Sequence, residues 1–264
     1  MIRPRTPRRA QLGEFLASRR RSLGRAASGL PPSKRRSDTG LSREEVAALA
    51  GVSVSWYSWL EQGRDINVSR QVLGAVSRVL RLTAAEAEYV LALAAPEHEP
   101  DAGAAAPDAA PEHLQRLLDA LPFPAFVVAT DWAIVGWNDS YARLYEPIST
   151  IPARDRNLIW LVYADSRLRD LLPDWERDSR RFLAEFRAES GVRLSSPGHR
   201  ALVERLLEAS PEFREQWAEH AVERFASRRR TFTRPDGRIL EFEHHSLVPS
   251  DAEDLHVVMY VPVA

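Results

Sequence analysis

The stretch LSREEVAALAGVSVSWYSWLEQGRDI, residues 41–66, decides the architecture of the first third of the chain. Ser42 precedes an apolar-periodic run and Glu45 follows it by three positions. A hydroxyl accepting from the N3 amide, with the N3 carboxylate reaching back to the cap amide, is a capping box, so a helix begins there. Gly51 breaks that helix, because a tight turn between helices needs a backbone that tolerates positive φ. A second helix starts at Ser53 and runs to Gln62, with Gly63 past its end. Ala47 is small where the two helices cross. Val46, Ala50, Val52, Tyr57 and Leu60 fall inward, which turns Val54, Ser55, Ser58, Trp59 and Gln62 outward. This is the spacing of a helix-turn-helix, whose second helix offers such a face to the DNA major groove.

The flanks extend the same domain. Leu12, Phe15, Leu16 and Arg19 predict a helix from Pro7 to Arg21. A loop from Gly24 to Gly40 carries the basic run Lys34, Arg35 and Arg36. Further helices are predicted over Ser69–Leu80 and from Thr83, with Glu86 as a second capping box, to Ala94. Residues 95–111 then hold Pro96, Pro100, Pro107 and Pro111 and no large apolar side chain, which reads as a linker. The expected organisation is therefore a helical domain over 1–94, a linker over 95–111 and a second domain over 112–264.

Charge divides along the same boundary. Residues 1–82 contain 16 Lys+Arg and 6 Asp+Glu, a net of +10, and residues 83–264 contain 20 and 31, a net of −11. A compact basic module is the electrostatic footprint of a nucleic-acid binder. Lys34 is the only lysine, so the basic groups are almost all arginine, which suits bidentate contacts to phosphate and carboxylate. The absence of cysteine excludes disulfides, thiolate metal sites and cysteine nucleophiles. No stretch approaches the about 20 apolar residues of a membrane span. The basic segment Met1–Arg9 leads into no apolar core of a secretory signal, so the cytoplasm is the expected compartment and no membrane partner is expected.

Beyond the linker the periodicity changes. Ala125–Ala129 and Ile134–Trp137 predict two strands joined at Asp131-Trp132, and Asn138 caps a helix to about Tyr145. The middle is helical over Leu158–Leu172, Trp175–Ser190, His199–Ala209 and Phe213–Phe225. The end is β, with strands over Arg229–Arg234, Ile239–Val248 and Leu255–Val261 and a hairpin turn at Pro235-Asp236-Gly237. The expectation is an α+β chain: an all-α helix-turn-helix domain, then a five-stranded antiparallel sheet with helices on one face, able to enclose an apolar cavity.

Residues 41–66 resemble the helix-turn-helix of the XRE (Cro-repressor) class, and more narrowly the MmyB-like transcription regulators. LGEFLASRRRSL (12–23), GLSREEVA (40–47), WYSWLEQGRDI (56–66) and VLRLTAAEAEYVLALA (79–94) carry the resemblance in the first domain. GWN (136–138), RNLIW (156–160), LLPDWE (171–176), FRAESG (186–191) and SPEFREQWAEHAV (210–222) carry it in the second. The resemblance implies a DNA-binding domain followed by a PAS-like ligand-binding domain, which in some members holds a fatty acid. It implies double-stranded DNA and a small apolar ligand as partners, and a repressor-class homodimer. Recognition would fall to Ser53, Val54, Ser55, Ser58, Trp59 and Gln62, and phosphate contacts to Lys34, Arg35, Arg36, Arg43 and Arg64. The wider class often has glutamine where this chain has Arg43, and arginine lacks the acceptor that glutamine supplies. Trp59 either touches a thymine methyl or sugar, or packs within the domain together with Trp56.

In the second domain the candidate ligand contacts are Asn138, Arg156, Asn157, Trp160, Arg187, Trp217 and His220. They are polar or aromatic groups set in apolar stretches. For each a local role, as a helix cap, a salt bridge or core packing, stands beside the ligand role. Glu241, Glu243 and His245 share one face of a strand, which suits a divalent metal or, more simply, a solvated outer face with Phe242 and His244 turned inward. No nucleophile elbow, phosphate loop or zinc-protease motif occurs, so a non-enzymatic regulator without a cofactor beyond its ligand is expected. The rival readings are a constitutive DNA-binding regulator whose second domain only dimerises or recruits a partner, and an enzyme using the Glu241/Glu243/His245 face.

Overall fold

The computed structural model describes residues 6–31, 40–95, 107–191 and 193–263. The chain divides into two compact units, residues 1–98 with 190–200, and residues 99–189 with 201–264.

Among the described residues the first unit holds α1 (Pro7–Ser22), α2 (Arg43–Ala50), α3 (Val54–Glu61), α4 (Arg70–Val79) and α5 (Ala84–Ala94). Each opens on a hydroxyl cap. Thr6, Ser42, Ser53, Ser69 and Thr83 accept from the amide three residues on, and Ser42 and Thr83 form full capping boxes with Glu45 and Glu86. Gly51 ends α2 at φ 69°, so the turn uses the conformation that only glycine takes without strain. Leu12, Phe15, Leu16, Val46, Ala47, Tyr57, Leu60, Leu73, Val76 and Val90 form the interior. Ala50 and Val52 are half-buried and not fully inward, because they flank the turn at the domain surface. Gly13 sits where α1 crosses the end of α3. A Cβ there would lie 2.2 Å from the Glu61 carbonyl oxygen, so only glycine permits this approach. A helix-turn-helix with its second helix exposed is the result.

The second unit begins with α6 (Glu112–Ala120), which sequence patterning did not flag. It continues through β1 (Ala125–Ala129), β2 (Ile134–Trp137), α7 (Asp139–Leu144), α8 (Leu158–Ala164), α9 (Ser166–Leu171) and α10 (Trp175–Ser190). It closes with α11 (Pro197–Ala209), whose residues up to Arg200, like Ser190 of α10, are counted with the first unit, then α12 (Pro211–Ala218), β3 (Arg228–Thr233), β4 (Ile239–Leu247) and β5 (Leu255–Pro262). Among the described residues the strands form one antiparallel sheet in the order β2-β1-β5-β4-β3, so the chain's first and last strands pair at the centre. The fold is α+β.

Three departures from the sequence reading have local causes. The predicted helix over Leu158–Leu172 is two helices, because the Asp165 carboxylate accepts from the Arg167 and Leu168 amides and starts α9 afresh. The helix expected to reach Phe225 stops at Ala218. His220 takes φ 54°, and the following chain bonds to α10 through Glu223 N–H and the Ala184 carbonyl. Helices also cover both faces of the sheet and not one. The larger apolar core lies between the sheet and α7–α12, while Leu114 and Leu118 of α6 pack with Ala125, Val127, Val135 and Val257 on the opposite face.

Candidate nucleic-acid interface and ligand-binding interior

On α3 the burial pattern separates two faces. Tyr57, Leu60 and Glu61 are buried. Ser53, Val54, Ser55, Trp59 and Gln62 are exposed, Ser58 and Trp56 are half-buried, and Arg64 is exposed just past the helix. Trp59 keeps 41% of its surface exposed, a large aromatic left in solvent on the outward face. The Arg64 guanidinium lies 5.8 Å from its ring centroid. Lys34, Arg35 and Arg36 fall outside the described residues.

What holds α3 at its angle is an ion network that patterning missed. The Glu61 side chain is 1% exposed and receives Arg20 through Nε at 2.5 Å and Nη2 at 3.0 Å, and Arg43 through Nε at 2.6 Å. One carboxylate thus ties α1 and α2 to the end of the recognition helix. Burial pushes Glu61 up, but the two arginines outweigh it and hold the carboxyl below its ordinary value. Arg43, expected on phosphate, gives its Nε to Glu61 and keeps its remaining nitrogens at a surface 45% exposed. The signal available in the sequence was an acid on the inward face of α3, one position past Leu60.

The second unit contains two spaces of different character. An open groove of about 630 Å³ runs past Ile151, Asp155, Trp160, Leu161 and Arg205. Its charges satisfy one another: Arg205 bonds to Asp155 at 2.6 Å and stacks over Trp160 at 4.1 Å, and Arg167 bonds to Asp165 at 2.9 Å. The other is an enclosed apolar space of about 10 Å³ between the sheet and α7–α10, bounded by Tyr141, Leu144, Leu168, Phe182, Phe232 and Tyr260 among others. That is room for about one water.

The expected ligand contacts fall elsewhere. None lines the enclosed space, and only Trp160 lines the groove. Asn138, 3% exposed, accepts from the Ala125 and Tyr141 amides and donates to the carbonyls of Leu118, Leu121 and Phe123, so it caps α7 and ties it to β1 and the end of α6. Asn157 caps α8 and donates to the Asp131 carbonyl at 2.7 Å. Arg156 stacks over Trp137 at 5.1 Å. Arg187, fully buried, donates to the Ala221 and Trp217 carbonyls and lies 4.3 Å from the Trp217 ring centroid. The structure therefore brings Arg187 and Trp217 together at the end of α12, where the arginine takes the Trp217 carbonyl within the helix and the Ala221 carbonyl just past it, with His220 between those two acceptors in sequence.

On β4 the alternation places Glu241 and Glu243 outside and buries Phe242 and His244. Among the described residues no group of three or more His, Asp or Glu is arranged to hold a metal. No described helix is long and apolar enough to cross a membrane.

A helix-turn-helix with an exposed recognition face, joined to a sheet-and-helix domain with an apolar interior, defines a DNA-binding transcription regulator. Residues 11–90 match the model of a helix-turn-helix domain. Residues 110–264 match that of the MmyB-like transcription regulator ligand binding domain, and the chain belongs to this family. No curated protein matches the chain.

Proposed function

We propose that the protein is a ligand-responsive transcription regulator that acts in the cytoplasm as a homodimer. The helical domain over 1–94 binds double-stranded DNA, and a PAS-like domain over 112–264 binds a small apolar molecule such as a fatty acid between sheet and helices. Ser53, Val54, Ser55, Ser58, Trp59 and Gln62 meet base edges, and Arg64, the free side of Arg43 and the Lys34–Arg36 run meet phosphates. A dimer of this class spaces its two recognition helices about one DNA turn apart, so a small ligand-driven shift in the second domain alters paired binding. The observation that carries the reading is the exposed outward face of α3, with Trp59 in solvent, on a domain of net charge +10 over residues 1–82. Fluorescence anisotropy with DNA from upstream of its own coding region tests it. Binding that weakens steeply with salt is expected, and salt-insensitive or absent binding refutes it.

A second reading is favoured by one observation. The enclosed space is only about 10 Å³, as a constitutive regulator with a filled, purely dimerising second domain would have. Native mass spectrometry separates the two. A retained apolar adduct of a few hundred daltons supports the sensor, and a clean mass with no thermal shift against a fatty-acid panel supports the dimerisation domain.

A further inference from the structure

The outer face of β4, with Glu241, Glu243 and His245 in one row, has no part in DNA contact or in the apolar interior. Strand register fixes what stands beside it. On β3, Arg230 and Phe232 turn inward and are buried, so Arg229 and Thr231 share the outer face with Glu241 and Glu243. Arg229 stands directly opposite Glu243, and Thr231 opposite Glu241.

This side of the sheet is covered unevenly. Leu114 and Leu118 of α6 pack on it over β1, β2 and the first half of β5. Over β4 it is open: Ile239 keeps 66% of its surface in solvent and Leu247 keeps 58%. They close the two ends of the outer row, with the charged groups between them. Among the described residues the only other large apolar side chains exposed in this unit are Leu117 on α6 and Val248 just past β4. Apolar surface left in water on one face of a domain marks a contact surface.

The charges select the partner. A purely acidic face would repel a copy of itself, but this one carries both signs one strand apart. Among the described residues Arg229 makes no ion pair, although Glu243 is its cross-strand neighbour, and Glu243 meets only His245, at 3.5 Å. A two-fold contact brings the same patch of two copies together. An axis running along the strands, between β3 and β4, lays each β3 on the β4 of the other copy, face to face as in a sandwich. Arg229 then meets Glu243 of the partner subunit, twice per dimer. Ile239, opposite Thr233 in the register, lies on Thr233 of the partner subunit. α6 rises from the same side over β1 and β2, so a second sheet cannot lie flat there, and the contact is confined to the β3–β4 side.

We propose that the outer face of β3 and β4 is the dimerisation surface, occupied by a second copy of this chain and held by two reciprocal Arg229–Glu243 pairs. This rests on the homodimer reading above and adds to it the face and its two-fold register. The face is small beside the interfaces of obligate dimers, so dissociation in the micromolar range is expected.

Sedimentation velocity of the full-length protein over about 1–200 μM tests the surface. Arg229→Glu and Glu243→Arg each set like charges at both contacts, and each alone is expected to raise the dimer Kd about 10-fold or more. In an equal mixture each variant supplies the charge the other lacks, so the mixed dimer regains opposite charges at both contacts and the parent's association returns. Both side chains are exposed, so the melting temperatures of the monomeric variants should match the parent's. Single variants that dimerise as the parent does overturn the surface and leave the homodimer reading standing. Single variants that stay apart when mixed also overturn it, because the loss then does not come from charge across a two-fold axis. An unmodified protein that stays monomeric throughout overturns both, and leaves the face to a partner of another kind.

Discussion

Replacing Asn138 by alanine separates a structural from a ligand-binding role at one of the positions the sequence singled out. The side chain makes five hydrogen bonds, all to backbone, at 2.9–3.2 Å. Alanine leaves the Ala125 amide, on a residue with no exposed surface, without its acceptor, at about 1–3 kcal/mol. It also removes the N-cap of α7, at about 1 kcal/mol. The carbonyls of Leu121 and Phe123 belong to half-buried residues and can turn to water, so they add little. The sum is about 2–4 kcal/mol, which for a domain of this size lowers the melting temperature by about 4–16 °C. Asn138→Asp sharpens the test. It retains the accepting oxygen but turns a second oxygen toward the three carbonyls that now receive the amide, so at neutral pH it destabilises at least as much. Its folded-state pKa is raised above the unfolded value, so its deficit shrinks as pH falls and the acid can donate one bond. Differential scanning calorimetry of the three full-length proteins at pH 7 and 5 reads this directly. An Asn138→Ala protein that melts within about 2 °C of the parent, yet no longer binds amphiphiles, would refute the reasoning and restore Asn138 as a ligand contact.

Other expectations follow from the first unit. Gly13→Ala is expected to cost about 1–3 kcal/mol by forcing α1 off the Glu61 carbonyl, despite alanine's better helix propensity; a rise in chemical-denaturation midpoint would contradict the close approach. Glu61→Gln is expected to cost about 3–5 kcal/mol at pH 7, since it leaves Arg20 and Arg43 without their carboxylate. Glu61's folded pKa is depressed, so its stabilisation is complete above the unfolded value near 4.5 and is lost as pH falls through the lower folded value. The gap between parent and variant in thermal melts should therefore narrow as pH falls below the unfolded value of 4.5, and a gap that stays unchanged through acid titration would count against the ion network. Gln62→Ala should lower affinity for the cognate operator by about 1–3 kcal/mol and relax specificity, whereas Arg64→Ala should weaken all DNA equally and reduce the salt slope by about one. Anisotropy titrations over a salt series distinguish them, and identical behaviour of the two variants would contradict the division of roles.

The limits of each helix in the first unit were legible because capping is local. A hydroxyl and the amide or carboxylate three residues away settle where a helix starts, and both lie in one short stretch of sequence. Strand parity is equally legible, since period-two alternation alone places Phe242 and His244 on the inner face of β4, where both are buried. The same parity puts Arg230 in phase with Phe232. It escaped notice because an arginine within a basic run reads as solvated surface. α6 escaped for a related reason: it is nine residues long, and Leu114 and Leu118 are its only fully buried positions.

By itself, then, the sequence determined the helix-turn-helix, the α+β order of elements and the family, since these rest on periodicity, caps and motifs read within a few residues. Tertiary structure alone decided which polar groups are already spent. Glu61 is claimed by Arg20 from 41 positions away, Asn138 by carbonyls 15–20 positions back, and Arg187 by a carbonyl 34 positions on. Whether a buried donor is satisfied depends on every element packed around it, and that neighbourhood exists only once the chain has folded.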